Sequence, residues 1–256
     1  MFLFKKAGFL IPEIKTTHLF FKDWFQGLYL EIEPVDELFF VNRNLPVSSY
    51  YFSHPHAKFT LQNGYMPENV FEKKLPVGNN DYSDLSKLFV VLDKGITESD
   101  TTQLKGILDI KNALDYYVIA VLIKHSDGIT NNLGLYYNSQ IQKFQFIPWD
   151  LTSTFSGDNE LSNPAPENYL NNLFDQMIKI DSWNNYCQKR AKELFDYNEL
   201  STLLDSLALE VKASAIIDPT HFITADSFDN EIEHIRAFLK NWNPILESDS
   251  TYFENE

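Results

Sequence analysis

The sequence predicts an α+β protein with its strands gathered early and its helices late. Three observations carry this: two β-branched and aromatic runs near the start, a second pair of strand-like runs before residue 150, and nearly unbroken helical periodicity from residue 168 onward. With 256 residues, 44% of them apolar, the chain can close a substantial core. No internal repeat, low-complexity tract or linker composition interrupts it, so a single folded unit is expected.

In chain order, Phe2, Phe4, Phe9 and Leu10 suit the buried end of a short helix that Gly8 stops and Pro12 follows. Residues 16–21 and 27–33 read as the strands of a hairpin joined across 22–26. From 34 to 78 the prolines at 46, 55, 67 and 76 cut the chain into short apolar pieces such as Tyr50-Tyr51-Phe52, which predicts loop with at most one further hairpin. Leu85, Leu88, Phe89 and Leu92 recur at helical steps, with Asp81 or Ser83 as the N-cap and Gly95 beyond. The segment 110–124 is apolar nearly all round, as a central buried helix requires. Strands follow at 132–138 and 142–147, turning at Ser139-Gln140. Helices are expected near 168–180, 183–195, 197–214 and 227–243, interrupted at Asp218-Pro219-Thr220.

Subtracting 36 acidic from 21 basic side chains leaves a net charge of −15, which repels phosphate backbones and anionic lipid. Nucleic acid is therefore not an expected partner, whereas a basic protein or a divalent cation fits the field. No apolar run reaches the roughly 18 residues that a membrane span needs. Cys187, the single cysteine, has no partner for an internal disulfide. The opening segment sets lysines inside its apolar stretch and lacks a cleavage site, so it makes a poor signal peptide and reads like the interior of a longer protein.

Candidate chemistry concentrates in His125-Ser126-Asp127-Gly128-Ile129-Thr130-Asn131-Asn132 and, after the hairpin, Pro148-Trp149-Asp150. A turn at Ser139-Gln140 sets residue 132 opposite 147, so Asp127, Asn132 and Asp150 would converge at the hairpin's open end. Oxygen donors so gathered suit Mg²⁺, which takes one or two carboxylates and completes its shell with phosphate and water. Kinase catalytic loops set an Asp that accepts the hydroxyl proton five residues before a metal-binding Asn, with a second metal-binding Asp beyond. Asp127 and Asn132 have that spacing. The structural alternative stays open: Asp127-Gly128 is also a helix-ending turn, Asn131-Asn132 a loop pair and Asp150 a helix cap. His125 reads as a hydrogen-bonded imidazole at a helix end, and His54-Pro55-His56 as a loop pair without a third zinc ligand. No Gly-rich phosphate loop, nucleophile elbow or zincin helix occurs.

Taken in order, these segments resemble the CotH family of spore-coat kinases, atypical protein kinases. The carriers are Gln26 through Glu33 with its Gly-x-Tyr step, Leu108 through Tyr117, Asp127 through Asn132 running into Leu133-Gly134-Leu135-Tyr136, and Phe146 through Leu151. The resemblance implies an atypical protein-kinase-like fold over 1–256: 1–105 as the remainder of the N-terminal lobe with an insert, and 106–256 as a helical C-terminal lobe bearing the catalytic and metal segments. It implies Asp127 as the catalytic carboxylate, Asn132 and Asp150 as metal ligands, Mg²⁺ (or Mn²⁺) and ATP as cofactors, and Ser or Thr of a protein as acceptor. Two features depart from the family pattern. The first part of the N-terminal lobe, with its phosphate-contacting Lys, has no counterpart here, and the position two after Asp150, normally Asp, is Thr152.

The expectation is thus an N-terminally truncated, Mg-dependent Ser/Thr kinase domain whose turnover the missing parts would impair. Its acidity predicts a Lys- or Arg-rich substrate, and the Ser or Thr acceptor makes a basic, Ser-rich protein the expected partner. The alternatives are a non-catalytic, pseudokinase-like scaffold in spore-coat or cell-surface assembly and, third, a metal-dependent phosphohydrolase using the same residues. Related proteins are often exported or laid on the spore coat, which leaves the compartment open.

Overall fold

A computed structural model describes residues 1–55, 58–155 and 172–247. Helix and sheet are mixed, as the α+β reading requires. The described chain forms two compact units, one built from Met1–Ile11 and Val35–Leu194, the other from Pro12–Pro34 and the segment from Phe195 onward. Among the described residues no helix is long and apolar enough to cross a membrane.

The first unit is organised around a helix and a sheet. Short helices α1 (Phe2–Lys6) and α2 (Glu37–Val41) precede strand β3 (Tyr50–Ser53), helix α3 (Pro67–Val70), strand β4 (Phe71–Leu75) and helices α4 (Ser83–Asp93) and α5 (Thr102–Ile107). Helix α6 (Ile110–Leu122) is the centre: every residue from Ala113 to Leu122 is buried, as its all-round apolar sequence demands. Its Tyr116 ring stacks on Phe146 at 4.8 Å and lies parallel to Phe174 at 6.1 Å. The helix start is stitched to the sheet, because Asp109 caps it by accepting the Asn112 N–H and the Asn112 side chain accepts the Phe146 N–H at 2.6 Å.

Beyond the single helical turn α7 (Asp127–Thr130), β5 (Leu133–Asn138) and β6 (Lys143–Pro148) complete an antiparallel sheet in the order β4-β3-β5-β6. The turn is not the two-residue Ser139-Gln140 expected. Asn138 pairs with Lys143, so four residues connect the strands, with the Asn138 side chain accepting the Gln140 N–H at 3.1 Å and Gln142 at φ 55° closing the loop. The segment 34–78 is also less irregular than its prolines imply. Its β3 pairs with β4 on one side and β5 on the other, and that second pairing, Tyr50 with Tyr136, has no local sequence signature. Helices α8 (Asn172–Met177) and α9 (Asp181–Leu194) close this unit. The start of the helix expected from 168 lies outside the described residues.

The second unit joins a hairpin to two long helices. Strands β1 (Ile14–Phe21) and β2 (Trp24–Ile32) turn on Lys22-Asp23, tighter than the five-residue connection expected, with Lys22 at φ 54°. Helix α10 (Tyr197–Ile216), capped by Asp196, packs on α11 (Ala225–Glu247), and the Arg236 guanidinium bridges them through Asp205 at 2.6 Å and the Ser201 hydroxyl at 2.7 Å. The Asp218-Pro219-Thr220 break is a lock. Asp218 accepts the Leu28 N–H of β2 at 2.7 Å and the Thr220 hydroxyl at 2.6 Å, and these bonds pull its carboxyl down to about 2. Gly27 sits at φ 140°, and a Cβ there would lie 2.9 Å from the Asp218 carboxylate oxygens. The Gly-x-Tyr step is therefore what lets this carboxylate reach the strand.

Candidate functional site

The site begins where α6 ends. Lys124 adopts φ 52°, turning the chain sharply so that His125 N–H donates to the Ala120 carbonyl at 2.8 Å and the ring folds inward. Asp127 opens α7, and its carbonyl accepts the N–H groups of Asn131 at 2.7 Å and Asn132 at 2.8 Å, which fixes the span between the two candidate residues. The Asn131 amide donates to Asp127 Oδ1 at 2.8 Å. Two buried groups brace this turn from outside it: the Tyr116 hydroxyl donates to the Gly128 carbonyl at 2.7 Å, and the Ser53 hydroxyl at the end of β3 donates to the Asn131 carbonyl while accepting the Leu133 N–H at 3.0 Å.

Asp150 arrives from the other strand. Leu133 pairs with Pro148, so one further step of the same register brings Asn132 level with Trp149, beside Asp150. Asp150 adopts φ 48°, a left-handed conformation that Asp tolerates, and both the Thr152 hydroxyl (2.7 Å) and the Thr152 N–H (3.3 Å) donate to its Oδ1. The following loop returns to α6, where Phe155 N–H donates to the Ile123 carbonyl at 2.8 Å.

His125 joins the halves. It is fully buried, and the carboxylates of Asp127 and Asp150 both act on its ring, together with the backbone of Trp149 and Ser153. Neither ring nitrogen has a partner of strict hydrogen-bond geometry, yet the Ser153 and Trp149 backbone acts on the ring as a hydrogen-bond acceptor does and raises its pKa, so the expected hydrogen-bonded imidazole at a helix end is not overturned. Burial dominates and lowers its pKa from 6.5, against the opposing pull of the two carboxylates. The unfolded chain therefore binds the extra proton first, so stability should fall as pH drops through about 6.5 and level off below the native value. Thermal midpoints between pH 5 and 8 should show this slope, and His125→Leu should flatten it. An unchanged slope in that variant would assign the pH response to other groups. Gly128 packs directly on the ring, a Cβ there lying 2.0 Å from His125 Cδ2, so no larger residue fits without expelling the imidazole.

Trp149, the residue before Asp150, lines a cleft of about 270 Å³ together with Val35, Tyr50, Phe52 and Lys74. Tyr50 and Phe52 project from one face of β3, Trp149 meets Phe52 edge to face at 6.5 Å, and the Lys74 amine pairs with Glu72 at 2.6 Å. Gly134 makes room for it. A Cβ there would come 2.9 Å from the Tyr50 hydroxyl and 2.7 Å from the Ile147 carbonyl oxygen, so only Gly lets the Tyr50 ring cross β5.

A family model described as CotH kinase protein matches residues 1–245. The chain belongs to this family. Inner spore coat protein H of Bacillus subtilis (strain 168) is 22% identical over 260 residues, covering 95% of this chain and 71% of that protein. Membership of the CotH family makes this chain kin to kinase-like proteins, and the Bacillus subtilis relative is by name a spore-coat protein.

Asp127, Asn132 and Asp150 are the residues that spacing and family resemblance both single out. The sequence reading missed Ser53, Tyr50 and Lys74, which lie far away in the chain, and Tyr116 on the helix just before, and it took His125 for a helix-end residue. The one available signal was Gly128 next to a histidine three residues back, too common a pattern to read alone. Of the proline-flanked pair His54 and His56, the second lies outside the described residues. Among the described residues no group of three His, Cys, Asp or Glu is placed to hold a metal. The donors at the open hairpin end are instead carboxylate and amide oxygens, a set that fits a hard cation needing only one or two carboxylates.

Proposed function

We propose that this chain carries a CotH-type kinase site that transfers the ATP γ-phosphate to Ser or Thr of a protein. One observation supports it most: Leu133 pairs with Pro148, which sets Asn132 level with Trp149 at the open hairpin end next to Asp150, while the Asp127 carbonyl binds the Asn131 and Asn132 N–H groups. Asp127 would accept the acceptor hydroxyl's proton, and Asn132 and Asp150 would hold the cation. Bound Mg²⁺ would neutralise charge on the phosphates. The cleft that Trp149 lines suits the nucleotide, with Tyr50, Phe52 and Trp149 offering aromatic surface to the base and Lys74 a cation to the phosphates. An acidic chain favours a basic, Ser-rich acceptor.

The test is incubation with γ-labelled ATP, Mg²⁺ and a basic Ser-rich protein. Label should move to acceptor Ser or Thr, stop when the metal is chelated, and fall to background in Asp150→Asn. ATP binding without transfer under every metal would instead favour the non-catalytic scaffold, and phosphate release without an acceptor would favour the hydrolase.

A further inference from the structure

We propose that Thr152 is a positioning residue that commits one oxygen of Asp150, so that a divalent cation enters this site only together with nucleotide phosphates. The inference rests on the reading of Asp150 as a metal ligand. Both donors of Thr152, its hydroxyl at 2.7 Å and its N–H at 3.3 Å, converge on Asp150 Oδ1, so Oδ2 takes no part in holding Thr152. The same division holds at Asp127, whose Oδ1 takes the Asn131 amide at 2.8 Å. Each carboxylate is thus held by a neutral side chain close in sequence.

This has a consequence for metal capture. Magnesium wants six oxygens in near-octahedral array and gives up its waters reluctantly. A site that offers one free Asp150 oxygen and an Asn132 amide has too little charge to strip a hydrated ion by itself. Phosphate oxygens supply the missing charge. A second carboxylate at position 152 would supply it from the protein and capture the bare cation. Thr152 does the opposite: it adds no charge, yet it holds Asp150 in its left-handed conformation with one oxygen committed. Thr152 and Asp150 are both exposed, so substitutions at 152 disturb no core packing.

Mn²⁺ is the probe, titrated into the full chain with and without ATP and read as protein-bound ion by water-proton relaxation, with the Mn²⁺–ATP complex measured in protein-free buffer subtracted. The wild type should bind Mn²⁺ alone at least tenfold more weakly than Mn²⁺ with ATP. Thr152→Asp should tighten binding of Mn²⁺ alone about tenfold, as expected for an added carboxylate ligand. Thr152→Val should weaken Mn²⁺ binding in the presence of ATP about tenfold, the equivalent of one hydrogen bond to a charged group, and Thr152→Ser should restore it. Asp150→Asn separates the two claims. If it leaves binding of Mn²⁺ with ATP unchanged, the metal-ligand reading itself fails. If it abolishes that binding while Thr152→Val matches the wild type, or if the wild type takes bare Mn²⁺ as tightly as Mn²⁺ with ATP, the role given to Thr152 is overturned alone.

Discussion

Replacing Asp127 with Asn is expected to lower phosphoryl transfer about 100- to 10,000-fold, the range a positioned general base contributes, while leaving the thermal midpoint almost unmoved. The reasoning is geometric. What Asp127 contributes to the fold is chiefly its backbone carbonyl, which accepts the N–H groups of Asn131 and Asn132, and no side-chain substitution removes those bonds. Its side chain accepts from the Asn131 amide at 2.8 Å, and an Asn side-chain oxygen can accept the same bond. The variant therefore keeps the shape of α7 and loses only the ability to take a proton. If Asp127 were merely an acidic residue opening a helical turn, the change would cost about 0.3–1 kcal/mol of stability through the helix dipole and nothing in transfer. Parallel measurement of initial transfer rate and thermal midpoint discriminates the two. Transfer within tenfold of wild type would take the role of base away from Asp127.

Local pattern carried much of the fold. The continuous apolar sequence of α6 announces a buried helix, and the period-two runs on either side of residues 139–142 announce β5 and β6. The register at the candidate site was legible for the same reason, since a hairpin brings its two ends together whatever its turn, and a two-residue error in the turn moved the residue opposite Asn132 only from 147 to 149. What sequence could not show were contacts whose partners lie far away. Ser53 reaches Asn131 and Leu133 across about 80 residues, and Asp218 reaches Leu28 across 190. These bonds exist only after collapse, and neither residue type is unusual in a loop. His125 belongs with them: the Ser153 and Trp149 backbone and the Asp127 and Asp150 carboxylates that act on its ring lie outside the helix that local sequence reveals.

Asp115→Ala should be the most damaging substitution to stability, about 3–5 kcal/mol, the range for breaking a buried ion pair from one side. Asp115 lies on α6 with only 1% of its side chain exposed, yet it is fully satisfied. Arg190 of α9 donates through Nε at 3.0 Å and Nη2 at 3.4 Å, the Tyr186 hydroxyl donates at 2.7 Å, and Lys111 reaches it at 2.7 Å from one helical turn earlier. Lys111 is largely exposed and can return to water, but Arg190 is mostly buried and would lose its carboxylate between the helices, keeping only the half-exposed Glu193 at 3.0 Å as a counter-charge. The direction of repair follows from this. Arg190→Met added to Asp115→Ala removes the stranded charge and should recover part of the loss, giving a strong non-additive coupling in a double-mutant cycle. Hydrogen exchange resolves where the damage falls, with protection of the α6 and α9 amides reduced together while the α10–α11 pair of the other unit keeps its own. Because Tyr116, next in the helix, braces the Gly128 carbonyl, amides at 128–132 should exchange faster as well. Additive single effects, or a loss confined to α9, would show that the Asp115 cluster is a local ornament of one helix and not the clamp that holds the central helix, and with it the turn bearing Asp127.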